Sequence, residues 1–169
     1  DYGKNKVQEA VDKWSEIKKK IKNLNLHMVG SLQTNKVKYA VKLFDYIHSL
    51  DSIKLAKKIS EEQKKIEKKI KLFIQINIGN EEQKSGINFD ELTDFYNLCV
   101  NDLNLNIIGL MCLPPAKQDP SIYFKKMEKA SNDLSLKELS MGMSSDYLEA
   151  LKFSASFVRI GSKIFGSRN

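Results

Sequence analysis

The sequence predicts an α/β fold, a (β/α)8 TIM barrel lacking roughly its first quarter. Three observations carry this. Short apolar runs alternate with amphipathic segments, one strand about every 25–30 residues, which is the rhythm of βαβ units around a parallel sheet. The runs stop at small or polar residues, so every strand delivers a turn to the same end of the sheet. The last two runs, Leu139–Met143 and Phe157–Ile160, stop at Ser144-Ser145-Asp146 and at Gly161-Ser162. Free backbone N–H groups at such turns attract anions, phosphate above all. In a (β/α)8 barrel a phosphate site commonly follows the last two strands. No Gly-x-Gly-x-x-Gly follows any strand, which counts against a dinucleotide fold. An open, six-stranded, doubly wound sheet is the alternative.

Each element has a local reason. Val7, Ala10, Val11, Trp14, Ile17 and Ile21 fall at helical spacing and predict an amphipathic helix over 6–22. Leu24–Val29 is a short strand stopping at Gly30, and the loop Ser31–Lys36 opens a helix over Val37–Leu43. Asp45–Leu50 is the next strand. Asp51 or Ser52 caps a helix with Ile53, Ala56, Ile59, Ile66 and Ile70 on its inner side. Leu72–Ile78 is rich in β-branched residues and reads as a strand, interrupted by Gln75 and Asn77. Asn88 with Glu91 resembles a capping box before Leu92, Phe95, Tyr96 and Cys99. Ile107–Leu113 is a strand closed by Pro114-Pro115. Asp119 followed by Pro120 starts a helix through Tyr123, Phe124 and Met127. Leu148, Leu151 and Phe153 form a last helical pattern between the two C-terminal strands. That makes six strands, where a barrel needs eight and about 250 residues. The missing part is expected upstream of Asp1.

Composition narrows the function. A chain of 169 residues that is 41% hydrophobic suffices for one cored domain. No apolar run is long enough to span a bilayer, and no signal-peptide pattern opens the chain. Cys99 and Cys112 sit in apolar surroundings without metal-ligand spacing, as buried thiols in a reducing compartment would, and the expected location is cytoplasmic. The net charge of +7 comes largely from two lysine-rich helical segments, Lys18–Lys22 and Lys57–Lys71, the second interrupted by glutamates. No aromatics interleave with the lysines to stack bases, so nucleic acid is not the expected partner. A basic interaction module stays in view only as a remote alternative.

One residue stands apart from this lysine background. Arg159 is one of only two arginines, with Arg168, and lies inside the apolar run Phe157-Val158-Arg159-Ile160. A planar, permanently charged fork suits a fixed and geometrically demanding partner. Either a buried ion pair or a ligand satisfies it, and the Gly161-Ser162 turn beside it favours the ligand. Polar residues gather at other strand ends: Gln33, Asn35 and Lys36 after one, Asn77, Gly79, Lys84, Ser85 and Gly86 after another. In a barrel they share one rim. His27 and His48 each lie on a strand, and a lone strand histidine is more often a satisfied interior residue than a catalyst. There is no Cys/His metal cluster, H-E-x-x-H or G-x-S-x-G. The carboxylate pairs Asp12/Glu16 and Glu81/Glu82 look solvated rather than catalytic.

Five ordered segments resemble one family. They are His27-Met28-Val29-Gly30-Ser31-Leu32-Gln33-Thr34-Asn35-Lys36; Ile74-Gln75-Ile76-Asn77 with Lys84-Ser85-Gly86; Gly109-Leu110-Met111; Leu139-Ser140-Met141-Gly142-Met143-Ser144; and Val158 through Gly166. They resemble the pyridoxal 5′-phosphate homeostasis protein family, whose fold is like the N-terminal domain of alanine racemase. The likeness covers essentially the whole chain. It implies a barrel with pyridoxal phosphate at its carboxyl rim. Ser144, Gly161 and Ser162 would hold the phosphate, Ser162 standing where Thr is usual, and Arg159 would face the pyridine nitrogen. Asn5 and His27 would lie near the cofactor. The family's Schiff-base lysine sits on an earlier strand in a V-S-K-type motif that nothing here matches. Tyr2 through Glu9 instead resembles the following segment, with Lys4 in place of Glu. This chain would then hold the cofactor noncovalently. The implied role is vitamin B6 cofactor homeostasis without turnover, with PLP-dependent apo-enzymes as possible recipients. A racemase-like enzyme acting on amino acids and a barrel for another phosphate ligand are the alternatives.

Overall fold

Strand and helix alternate as the sequence predicts, with one strand more. The computed structural model describes residues 1–166. The additional strand is β1, Tyr2–Lys4, which no apolar alternation announces. Its backbone pairs in parallel with β2, Leu26–Met28, through Tyr2↔Leu26, Gly3↔His27 and Lys4↔Met28. The others are β3, Tyr46–Leu50; β4, Lys71–Ile76; β5, Asn106–Cys112; β6, Glu138–Met143; and β7, Phe157–Arg159. All pairings are parallel, and the spatial order follows the chain from β1 to β7. A doubly wound sheet reverses its strand order at a switch point; this one never does. The sheet also curls onto itself. The His27 ring on β2 and the Phe157 ring on β7 are 5.7 Å apart, although four strands separate them in order. The fold is therefore a nearly closed barrel of parallel strands rather than the open-sheet alternative.

Helices cover the outside: α1, Val7–Lys20; α2, Val37–Leu43; α3, Ile53–Lys65; α4, Leu92–Asn97; α5, Pro120–Asp133; α6, Tyr147–Leu151; and α7, Ser162–Phe165. Because side chains alternate along a strand, the sheet serves two apolar regions. Leu26, Met28, Ile47, Leu72, Ile74, Leu110, Leu139 and Met141 pack outward with Ala10, Trp14, Ala40, Leu55, Ile59, Phe124 and Met127 from the helices. Phe73 and Met111 are also buried but stand outside that cluster, in the barrel interior with the rings of His27, Tyr46, His48 and Phe157.

Helix starts follow the predicted chemistry at α3 and α5 and depart from it at α4. Ser52, not Asp51, caps α3, its hydroxyl accepting from the Leu55 N–H at 3.4 Å. Asp119 caps α5 through the Ser121 N–H at 3.0 Å, with Pro120 at the first helical position. The Asn88/Glu91 capping box does not form; a 3-10 turn, Phe89–Glu91, leads into α4 instead. Ile53, expected inside, is exposed because it opens α3 on the solvent side. Arg168 lies outside the described residues.

Phe124 has no exposed surface and links α5 to the sheet. Phe124→Ala is expected to lower the unfolding free energy by about 3–5 kcal/mol, the usual range for emptying an aromatic site in a packed core. Denaturant titration checks this, with the midpoint falling and the slope unchanged.

Candidate functional site at the carboxyl rim

The last two strands build the site. Gly142, near the end of β6, has φ +90, and a Cβ there would lie 2.8 Å from the Ala150 Cβ and 3.0 Å from the Tyr147 Cα. Only glycine lets β6 turn this close beneath α6. Asp146 then closes the turn: its carboxylate accepts from the Met143 N–H at 2.6 Å, and its own N–H donates to the Met143 carbonyl at 3.1 Å. The turn presents Ser144, whose hydroxyl oxygen accepts from the Gly161 N–H at 3.2 Å. Residues seventeen positions apart are thus joined at one point of the rim. A Cβ at Gly161 would meet nothing within 4 Å, so open space lies in front of it. Ser162, the first residue of α7, is exposed beside it.

Arg159 ends β7 and turns inward beneath this pair. One terminal nitrogen donates to the Ser140 carbonyl at 2.8 Å and to the Ser140 hydroxyl at 2.7 Å; the other donates to the Cys112 carbonyl at 2.8 Å. The guanidinium therefore reaches across β6 to the end of β5. Among the described residues no carboxylate pairs with it, so the ion-pair alternative is not what holds it. Burial pulls its pKa below the ordinary arginine value, yet an arginine stays protonated at any physiological pH. Three of its five N–H donors are used and two are left.

Below Arg159 the interior holds a polar line that the sequence did not reveal. His48 Nδ1 lies 2.8 Å from the Ser140 hydroxyl, His48 Nε2 lies 3.0 Å from His27 Nδ1, and His27 Nε2 lies 3.1 Å from the Asp1 carboxylate. His27 stacks on Tyr46 and His48 on Phe73, each with ring centroids 4.2 Å apart. Burial is the main cause that lowers the His27 pKa to about 4 and that of His48 to about 2, so both are neutral at physiological pH. His27 is thus joined to Arg159 through His48 and Ser140 rather than directly to Ser144 or Gly161. Asn5 follows β1 and is exposed, its backbone packed so closely on Gly30 that a Cβ there would lie 2.4 Å from the Asn5 carbonyl oxygen. The one available signal for His48 and Ser140 was a polar residue at an inward position of an otherwise apolar strand.

The other predicted rim residues fold a loop. Asn77 donates to the Glu81 carbonyl at 2.9 Å and accepts from the Glu81 N–H at 3.1 Å. Lys84 reaches the carbonyls of Leu113 and Pro114 at 3.3 and 3.1 Å, tying this loop to the end of β5. A cavity of about 230 Å³ remains between them, lined by Ser31, Gln75, Asn77, Gln83, Lys84 and Ser85 among others. A larger groove of about 370 Å³ lies between α1 and α2, bordered by Lys18, Lys19, Tyr39 and Lys42, in the helical layer rather than at the rim.

These features define a class: a parallel α/β barrel whose last two turns meet at the carboxyl rim above a half-buried, hydrogen-bonded arginine. The family model described as alanine racemase, N-terminal domain, matches residues 1–169. The chain is 36% identical over 176 residues to the pyridoxal phosphate homeostasis protein of Aquifex aeolicus (strain VF5), covering 99% of this chain and 76% of that one. The solved structure of PipY from Synechococcus elongatus PCC7942 without PLP superposes with a TM-score of 0.90 at 32% identity, covering 97% of this chain and 80% of PipY. PipY with PLP bound superposes with a TM-score of 0.87 at 31% identity over the same shares. The chain belongs to the alanine racemase N-terminal domain family, among the pyridoxal phosphate homeostasis proteins.

The two buried histidines set a pH dependence. Their folded pKa values lie below the unfolded value near 6.5, so between these limits the unfolded chain binds more protons. Stability is therefore complete above the unfolded value and falls as pH drops from there through about 4 and on toward about 2. The expected slope is about 1.4 kcal/mol per pH unit for each histidine that only the unfolded chain protonates. Denaturant titrations across this window, with a His27→Gln/His48→Gln double variant as control, test it. The variant is expected to remove this part of the slope.

Proposed function

We propose that this chain binds pyridoxal 5′-phosphate at the Ser144–Gly161–Arg159 group and serves vitamin B6 cofactor homeostasis without catalytic turnover. The observation that carries the proposal is the junction of Ser144 with Gly161 above a guanidinium fixed by Ser140 and Cys112. The residues fit the cofactor. The Ser144 hydroxyl, the Gly161 N–H and Ser162 would hold the phosphate, where the space before Gly161 is open. Arg159 would offer one of its two unused N–H groups to the ring nitrogen. Asn5 at the end of β1 and His27 below would flank the site. Bound cofactor supplies an aldehyde that condenses with amines and a ring that withdraws electrons.

Arg159 bears on what that ring can do. A permanent cation beside the ring nitrogen disfavours its protonation, which weakens the ring as an electron sink. This suits a carrier better than an enzyme that must stabilise a carbanion. The grip proposed for these residues is noncovalent, through hydrogen bonds and charge. PLP-dependent apo-enzymes are the proposed recipients. A reducing, cytoplasmic setting accords with Cys99 and Cys112, both buried and free, with thiols pushed up to about 12 by burial. No described helix is long and apolar enough to cross a membrane.

The test is an absorbance titration of the protein with pyridoxal phosphate. Ser144→Ala and Arg159→Lys are each expected to weaken binding about 10–100-fold, the scale of a lost hydrogen bond to a charged group. Unperturbed spectra, or variants that bind as well as the parent, would sink the proposal. Incubation with free amino acids followed by chiral chromatography is expected to show no change in stereochemistry; racemised product would move the protein to the enzyme class.

A further inference from the structure

The barrel interior contains a feature that binding alone does not require. Four side chains from four strands, and one from the residue before β1, stand in a single hydrogen-bonded line. Arg159 is at the carboxyl end of β7, Ser140 on β6, His48 on β3, His27 on β2, and Asp1 at the amino end of β1. The line crosses the barrel from its carboxyl rim to its opposite end. Its inner members are close to fully buried: Ser140 is 0% exposed, His48 2% and His27 4%.

Counting donors gives the line a direction. A guanidinium has only donors. The Asp1 carboxylate can only accept, which makes each histidine Nδ1 an acceptor, so the Ser140 hydroxyl accepts from Arg159 at 2.7 Å and gives its own proton to His48 Nδ1 at 2.8 Å. His48 then carries its proton on Nε2 and donates to His27 Nδ1 at 3.0 Å. His27 likewise carries its proton on Nε2 and donates to the Asp1 carboxylate at 3.1 Å. Every dipole points its negative end toward the arginine, and the line ends on the one group that can only accept. A half-buried cation with no ion-pair partner among the described residues is stabilised by oriented dipoles of this kind, and aligned hydrogen bonds reinforce one another in a low-dielectric interior.

We propose that Ser140, His48 and His27 are positioning residues: one oriented hydrogen-bond chain, anchored at Asp1, that fixes the Arg159 guanidinium for an aromatic ring nitrogen at the rim. This rests on the reading of Arg159 as the ring-nitrogen contact and extends it to the residues behind the arginine. The line forces a single tautomer on each histidine, and a change at Ser140 reaches His27 through His48. Packing alone would do neither.

Two measurements on the whole protein test this. Ring ¹⁵N NMR is expected to find both histidines protonated on Nε2. In Ser140→Ala the His48 tautomer is expected to become mixed, with a change at the His27 ring as well. A His48 protonated on Nδ1, or a His27 ring unaffected by Ser140→Ala, overturns the chain. The second measurement is pyridoxal phosphate titration. Ser140→Ala and His48→Phe, which keeps the ring stacked on Phe73, are expected to weaken binding at least about tenfold. Competition by inorganic phosphate is expected to stay unchanged in both variants, since Ser144 and Gly161 are untouched. His48→Gln, which can accept from Ser140 and donate to His27, is expected to recover most of the affinity. Full affinity in Ser140→Ala and His48→Phe overturns the positioning role even where the tautomers are as expected. If the parent protein fails to bind the cofactor, the binding reading falls and the positioning role with it, while the ¹⁵N result still decides whether the chain exists.

Discussion

A half-buried positive charge with no ion-pair partner among the described residues constrains everything around the rim. Arg159 sits in the wall of a barrel lined with aromatic rings, and its attractions must come from oxygen atoms already fixed by the backbone. Two of them, the Ser140 and Cys112 carbonyls, belong to strands whose own pairing cannot shift without breaking the sheet. The third, the Ser140 hydroxyl, is fixed by a histidine behind it. The guanidinium is thus held by the architecture rather than by a counter-ion. An ion pair would have neutralised the charge; carbonyl and hydroxyl dipoles leave it positive and available. That difference separates a structural arginine from one able to serve a ligand.

The barrel makes this arrangement possible because strand alternation separates two kinds of packing. Outward residues make an ordinary apolar layer against the helices. The inner face is filled by flat rings: His27 against Tyr46, His48 against Phe73, and Phe157 edge-on to Phe73 and His48. Flat rings fill the interior closely and still let two imidazoles present nitrogen atoms in line. Aliphatic side chains of the same volume would fill the space but carry no hydrogen bond through it.

Rim loops divide the remaining work. After β6 and β7 the turns are short, and the Ser144 hydroxyl of one accepts from the Gly161 N–H of the other. After β4 a longer loop folds back on itself through Asn77 and is tied to the next strand end by Lys84. Polar residues that look alike in sequence thus have different tasks. Those after β4 spend their hydrogen-bonding capacity on the loop, while Ser144 and Gly161 share a single long bond that a better acceptor can displace. The short loops are where an anion gains most.

The sequence alone determined the strand–helix alternation, the parallel sheet, the Asp119-Pro120 helix start and the turns at Ser144 and at Gly161-Ser162, because each rests on neighbours along the chain. It also singled out Arg159, since a charged fork inside an apolar strand is conspicuous among lysines. Local pattern fails where pairing is remote. β1 has no pattern of its own and exists only as the partner of β2. The sequence left an acid or a ligand open for Arg159, and only β5 and β6 beside it showed that carbonyl and hydroxyl oxygens hold it. His48 joins His27 over 21 positions and Ser140 over 92, and a period of two tells which face a residue occupies but not what stands opposite. Curling of the sheet supplied those partners, so the candidate site was legible in its parts and assembled only by closure of the barrel.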